Sequence, residues 1–167
     1  MRDQQTFGDI EYNGKKKKTR RELFLEQMED IVPWKRWVDL IEPYYPKGRH
    51  GRPPKGIEVM LRMYLLQVWF SLSDEMMEEA IYDSHSMRKF VGISLLEEDV
   101  PDATTLLRFR HLLRAHALAQ TIIDQMNEAL SENGLLMKKG AIVDAATGPA
   151  KSRKKEPRPR IAPGKQE

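Results

Sequence analysis

The sequence predicts a mainly α-helical bundle followed by a short β-hairpin and a basic tail without regular structure. Three observations carry this expectation. Apolar residues recur at helical spacing through most of residues 19–134, the pattern of helices that bury one face. The period shortens toward two over residues 135–145. Beyond Ala146 nothing apolar recurs except Ile161, so the last stretch has no means of forming a core.

Residues 1–18 show neither period and end in "GKKKK", which predicts a flexible basic arm. Thr19 and Glu22 stand at capping-box spacing, and Phe24, Met28 and Ile31 continue at i, i+4, i+7, giving a helix from Thr19 to Val32. Pro33 suits the first turn of a second helix, whose Trp34, Trp37 and Ile41 form an apolar stripe before "EPYYP" ends it. "KGRHGRPPKG" reads as a basic Gly/Pro loop. "IEVMLRMYLLQVWFSL" is apolar on nearly every side, with Ile57, Leu61, Tyr64, Leu65 and Val68 on its strongest face, and belongs at the centre of the fold.

Ser73 is placed to cap the acidic helix "SDEMMEEAIYD", and a shorter turn, "SMRKFVGI", and an acidic loop follow. Pro101 and Asp102 open a helix with Leu106, Phe109 and Leu113 at helical spacing, and "ALAQTIIDQMNEALSENG" runs on to a C-cap at Gly134. "LLM" and "AIVDA" read as strands joined by a three-residue turn, "KKG". The expected units are an arm over 1–18, a helical domain over 19–134, a hairpin over 135–145 and a disordered basic tail over 146–167.

Composition narrows the chemistry. The 167 residues include no cysteine, so disulfides and thiolate metal sites are excluded. No apolar run has membrane-spanning length, and a cytoplasmic protein without a membrane partner is expected. A Gly-rich phosphate loop and a Gly-x-Ser-x-Gly elbow are both missing, which argues against nucleotide binding and nucleophilic catalysis. His111 and His116 are five apart, on different sides of a helix, and make no metal site. Charge is divided unevenly: residues 1–56 carry +4, 57–100 carry −6, 101–134 carry −1 and 135–167 carry +6. A polyanion would be gripped by the ends and by local clusters.

The helix after Pro101 is the best local cluster. Leu106, Phe109, Leu112 and Leu113 lie on one side and Thr104, Arg108 and His111 on the other, with Arg110 and Arg114 toward the edges and Thr105 in the first turn. A recognition helix of a helix-turn-helix module has this layout, its arginines reaching guanine edges or phosphates. The other reading is that these arginines are solvated or pair with the acidic helix 73–83. "GKKKKTRR", with Lys16, Lys17, Arg20 and Arg21, and "GRHGRPPKG", with Arg49 and Arg52, are further phosphate-clamp candidates. "GRPP" resembles the core of a minor-groove AT-hook. Asp144 ends the second strand. Two-metal phosphodiester chemistry needs several converging carboxylates, and after Asp144 the sequence offers only Glu156 and Glu167. On the residues alone, Asp144 reads as a strand-end residue.

The order of segments "RRELFLEQMEDIVPWKRWVDLIEPYYPKGRHGRPP", "LSDEMMEEAIYDSHSMR", "PDATTLLRFRHLL" and "GLLMKKGAIVDA" closely resembles the N-terminal part of bacterial transposases of the insertion-sequence 5 group, over roughly Met1 to Ala145. The resemblance implies a helical domain that binds double-stranded DNA at terminal inverted repeats, then a ribonuclease-H-like catalytic sheet. It also implies that the aspartate of "VDA", here Asp144, is the first acid of a DDE triad that binds Mg²⁺ in the complete enzyme. The departure is that "ATGPAKSRKKEPRPRIAPGKQE" stands where family members continue into the rest of the sheet and the other two acids.

The resulting expectation is a DNA-binding fragment, truncated by frameshift or deletion, with one catalytic acid and no cofactor of its own. It would act at the nucleoid as a homo-oligomer or beside an intact transposase. Two alternatives stay open: an active enzyme when extended by ribosomal frameshifting or joined by a second polypeptide, and a helical protein-interaction module with no DNA role.

Overall fold

The first helix, α1 (Arg20–Ile31), begins at a reciprocal cap: the Glu22 N–H donates to the Thr19 hydroxyl at 3.2 Å and the Thr19 N–H donates to the Glu22 carboxylate at 2.9 Å. In the computed structural model, which describes residues 12, 14–48, 53–138 and 141–144, seven α-helices follow one another from this point. Val32 ends α1, and Pro33 stands at the N-cap of α2 (Trp34–Ile41) rather than inside its first turn. A 3₁₀ turn over Glu42–Tyr44, with Pro43 in it, closes α2.

The central helix is α3 (Ile57–Phe70). Every residue from Met60 to Gln67 is buried, as an all-round apolar helix requires. It packs against α2, α4 (Asp74–Asp83), α5 (His85–Val91) and α6 (Ala103–Ala115). Ser73 caps α4 by accepting the Met76 N–H. Ser84 both terminates α4, donating its N–H to Ala80, and starts α5, accepting the Met87 N–H on its hydroxyl. Asp102 accepts the Thr105 N–H at 2.6 Å and so starts α6. Ala117, with φ 55, turns the chain into α7 (Leu118–Glu132). Trp37, fully buried, ties α2 to α7 through its indole N–H on the Gln125 side chain at 2.7 Å.

α3 carries one charge into this core. Arg62 is 9% exposed, with its guanidinium forked onto both oxygens of Glu29 in α1 and donating to Glu58 at 2.9 Å and to the Phe90 carbonyl at 2.8 Å. It also lies 4.0 Å from the centre of the Trp34 ring. A buried cation is tolerable when its donors are taken up and its flat face is stacked, and Arg62 has both kinds of partner.

Beyond α7, Gly134 (φ 71) turns the chain into β1 (Leu135–Lys138), which pairs antiparallel with β2 (Ala141–Asp144). The register sets Leu135 opposite Asp144 and Lys138 opposite Ala141. Lys138, expected in the turn "KKG", therefore belongs to the ladder, and Lys139 and Gly140 lie outside the described residues.

Candidate nucleic-acid interface

Three sides of α6 are occupied. Leu106 and Leu113 are fully buried and Phe109 nearly so, which fixes the helix on the core. On a second side Arg110 reaches Asp74 of α4 at 3.3 Å, both side chains half-buried. Of the two readings open for the arginines, the ion pair with the acidic helix therefore holds for Arg110, and Arg110 leaves the outward set. On the third side α6 meets a wall built from the chain before α3. The Tyr45 ring stands edge-on to Phe109 at 6.1 Å, and the Tyr45 hydroxyl donates to the Lys55 carbonyl at 2.7 Å. At the C-terminal end of α6, Tyr44 stacks on His116 at 4.1 Å.

What remains of α6 faces solvent: Thr104, Leu107, Arg108, His111, Arg114 and Ala115. At 100° per residue these fall in one continuous arc. Thr105 is half-buried at the edge of this arc, facing the wall. Leu107 is 36% exposed and was not among the sequence candidates. It occupies the outward face because Leu106 and Phe109 already fill the inward one. Arg114 and Arg110 also approach Tyr64: burial raises the Tyr64 hydroxyl above its ordinary range and the two guanidinium charges pull it part of the way back. The loop 92–102 in front of α6 is much longer than the three- or four-residue turn of a compact helix-turn-helix.

Between α6 and the wall lies a cavity of about 380 Å³. Tyr45, Pro53, Pro54, Pro101, Phe109 and Leu112 give it apolar walls, and Lys55, Asp102, Thr105 and Arg108 stand at its polar edge. Lys55 is held there by Glu98, at 3.1 Å, and by the Asp99 carbonyl. Gly48, with φ +54, packs so closely on Pro54 that a Cβ would stand 2.5 Å from the ring. Arg49 and Arg52 lie outside the described residues; the chain leaves at Gly48 and returns at Pro53.

The first basic tract is partly engaged. Lys15 pairs with Glu22 and caps the Tyr12 ring at 3.3 Å, while Lys18 pairs with Glu26 at 2.6 Å. Tyr12 in turn stacks on His85 at 3.9 Å. Lys16, Lys17, Arg20 and Arg21 are exposed, with Arg21 3.4 Å from the Ser84 hydroxyl. Among the described DNA-contact candidates, two groups of cations therefore face solvent, one at the start of α1 and one along α6.

Asp144 closes β2 opposite Leu135. Among the described residues no group of three or more His, Asp or Glu could hold a metal ion. The donor set that the resemblance implies for Mg²⁺ is therefore not among them. None of the helices among the described residues is long and apolar enough to cross a membrane.

The family model "Transposase domain (DUF772)" matches residues 13–112, from the basic arm into the second half of α6. The chain belongs to this transposase-domain family. The match includes the outward arc of α6 as far as His111 and all of the proline wall, so both sides of the cavity lie inside the transposase domain. α7, β1 and β2 lie beyond the matched span. No solved structure matches the chain.

Proposed function

We propose that this transposase domain binds double-stranded DNA at the terminal inverted repeats of an insertion-sequence 5 type element, with the outward arc of α6 set toward a groove. The observation that carries the reading is the arc itself. Thr104, Arg108, His111 and Arg114 stand on a helix held on its other three sides by the core, by Asp74 and by the proline wall. A helix so held presents its cations in a fixed geometry, which base readout requires. The exposed Lys16, Lys17, Arg20 and Arg21, together with Arg49 and Arg52, would add phosphate contacts that position the domain without reading sequence.

In the same reading Asp144 is the first acid of a DDE site, and Mg²⁺ belongs to the complete site. Strand cleavage is not assigned to these 167 residues, because phosphodiester chemistry of that kind needs several converging carboxylates. Homo-oligomers and intact transposase are the expected protein partners, through which the chain would compete for element ends.

The test is a titration of the 167-residue chain against a duplex bearing the element's terminal repeat and a shuffled duplex, at two salt concentrations. Tighter, salt-sensitive binding to the repeat supports the reading. Equal affinity for both duplexes removes the repeat-specific part, and no binding to either removes DNA binding altogether.

A further inference from the structure

The cavity between α6 and the proline wall has no role in groove binding by the outward arc, yet it opens beside Arg108, at the edge of that arc. Its volume, about 380 Å³, is at the lower end of the roughly 300–1,000 Å³ found for small-ligand sites. The walls are largely apolar rings: Pro53, Pro54 and Pro101 line them together with Tyr45 and Phe109, whose rings stand edge-on to each other. A phosphate or other small ion would lose its hydration against such walls without regaining it. A flat heteroaromatic ring is the chemical group these surfaces suit, because it stacks on rings of either kind and keeps its polar edge toward the mouth. At that mouth the Thr105 hydroxyl and the Arg108 guanidinium stand within the same rim.

We propose that this cavity receives one unpaired nucleobase of the bound DNA, with Arg108 on the phosphate that carries it. The inference rests on the DNA-binding reading above and adds to it a distorted substrate: the domain would hold a duplex in which one base has left the stack. Extrusion costs least where pairing is already absent, so mismatched DNA should bind more tightly than paired DNA of the same sequence.

The experiment compares a short duplex containing a central T·T mismatch with the same duplex carrying T·A there, both titrated with the full chain. The expected result is about tenfold tighter binding of the mismatched duplex, the size of preference that an avoided unpairing cost gives. Thr105→Trp, which puts an indole into the cavity, should bring that ratio to about one. Permanganate oxidation of the mismatched thymine supplies a second readout that needs no variant. Protection on binding the wild-type chain supports a base lodged in the cavity. Enhanced oxidation, a wild-type ratio of one, or a preference that survives Thr105→Trp overturns the proposal while leaving DNA binding intact. Failure to bind either duplex overturns both readings.

Discussion

Arg110 and Asp74 meet at 3.3 Å across the contact between α6 and α4, and Asp74 also accepts the Gln67 side-chain N–H at 2.8 Å. The arginine two residues after Arg108 thus belongs to the packing of the domain, although both sit in the same basic run. The two should behave differently when replaced. Arg110→Ala is expected to lower stability by about 1 kcal/mol, as for a half-buried pair, with a double-mutant cycle against Asp74→Ala returning most of it as coupling. Arg108→Ala should leave unfolding unchanged, weaken DNA binding and reduce the salt slope by about one. Matching losses of stability in both variants would contradict this division.

Arg62 provides the second contrast. Arg62→Ala removes the ion pairs, the stacking on Trp34 and the stem that fills the space, and should cost about 3 kcal/mol. Arg62→Met keeps the stem and deletes the charge. Glu29 and Glu58 are about half exposed, at 47% and 52%, so both carboxylates can turn to water once the guanidinium is gone. Arg62→Met should therefore cost only about 1 kcal/mol, and chemical denaturation of the two variants gives the comparison.

The carboxyl of Glu22 sets a pH dependence. Slight burial pushes it upward, but the Lys15 ammonium and the Thr19 N–H outweigh that and hold it at about 2, against an ordinary 4.5. The folded chain therefore holds this proton less tightly than the unfolded chain does, so the contribution is full above pH 4.5 and disappears as pH falls toward 2. The stability difference between wild type and Glu22→Gln should be constant above that window and shrink within it. A difference that grows on acidification would show the sign to be wrong.

Gly48 and Gly92 separate backbone strain from crowding. Both have positive φ, at 54° and 80°, but a Cβ at Gly92 would meet nothing within 4 Å while one at Gly48 would strike Pro54. Gly92→Ala should cost about 1 kcal/mol from conformation alone. Gly48→Ala must also displace a proline ring and is expected to lose at least about 1 kcal/mol more. It should weaken DNA binding too, since Arg49 and Arg52 fall between Gly48 and Pro53 in the sequence.

The helices were legible wherever their cause was local. Thr19, Ser73 and Asp102 cap as their spacing indicates, and the periodicity that selected Leu106, Phe109 and Leu113 finds them buried. What the sequence hid depends on distance along the chain. Arg62 has Glu58 four residues before it on its own helix, but its partners Glu29 and Phe90 are 33 and 28 residues away, so no local pattern announces its place in the core. Arg110 faced the same ambiguity until Asp74 was seen beside it. The cavity was hidden for the same reason: "EPYYPKGRHGRPPKG" reads as a loop, and only the fold sets Tyr45 against Phe109.

Only Asn133 and Gly134 separate α7 from β1, and β1 carries β2 directly, with Leu135 packed against the helical core and paired with Asp144. Asp144, at the end of β2, is thus joined to the bundle through the Asn133–Gly134 turn and the β1–β2 ladder. Lengthening the Asn133–Gly134 turn by one residue should lift Leu135 from the core and lower the amide-exchange protection of Leu135–Lys138.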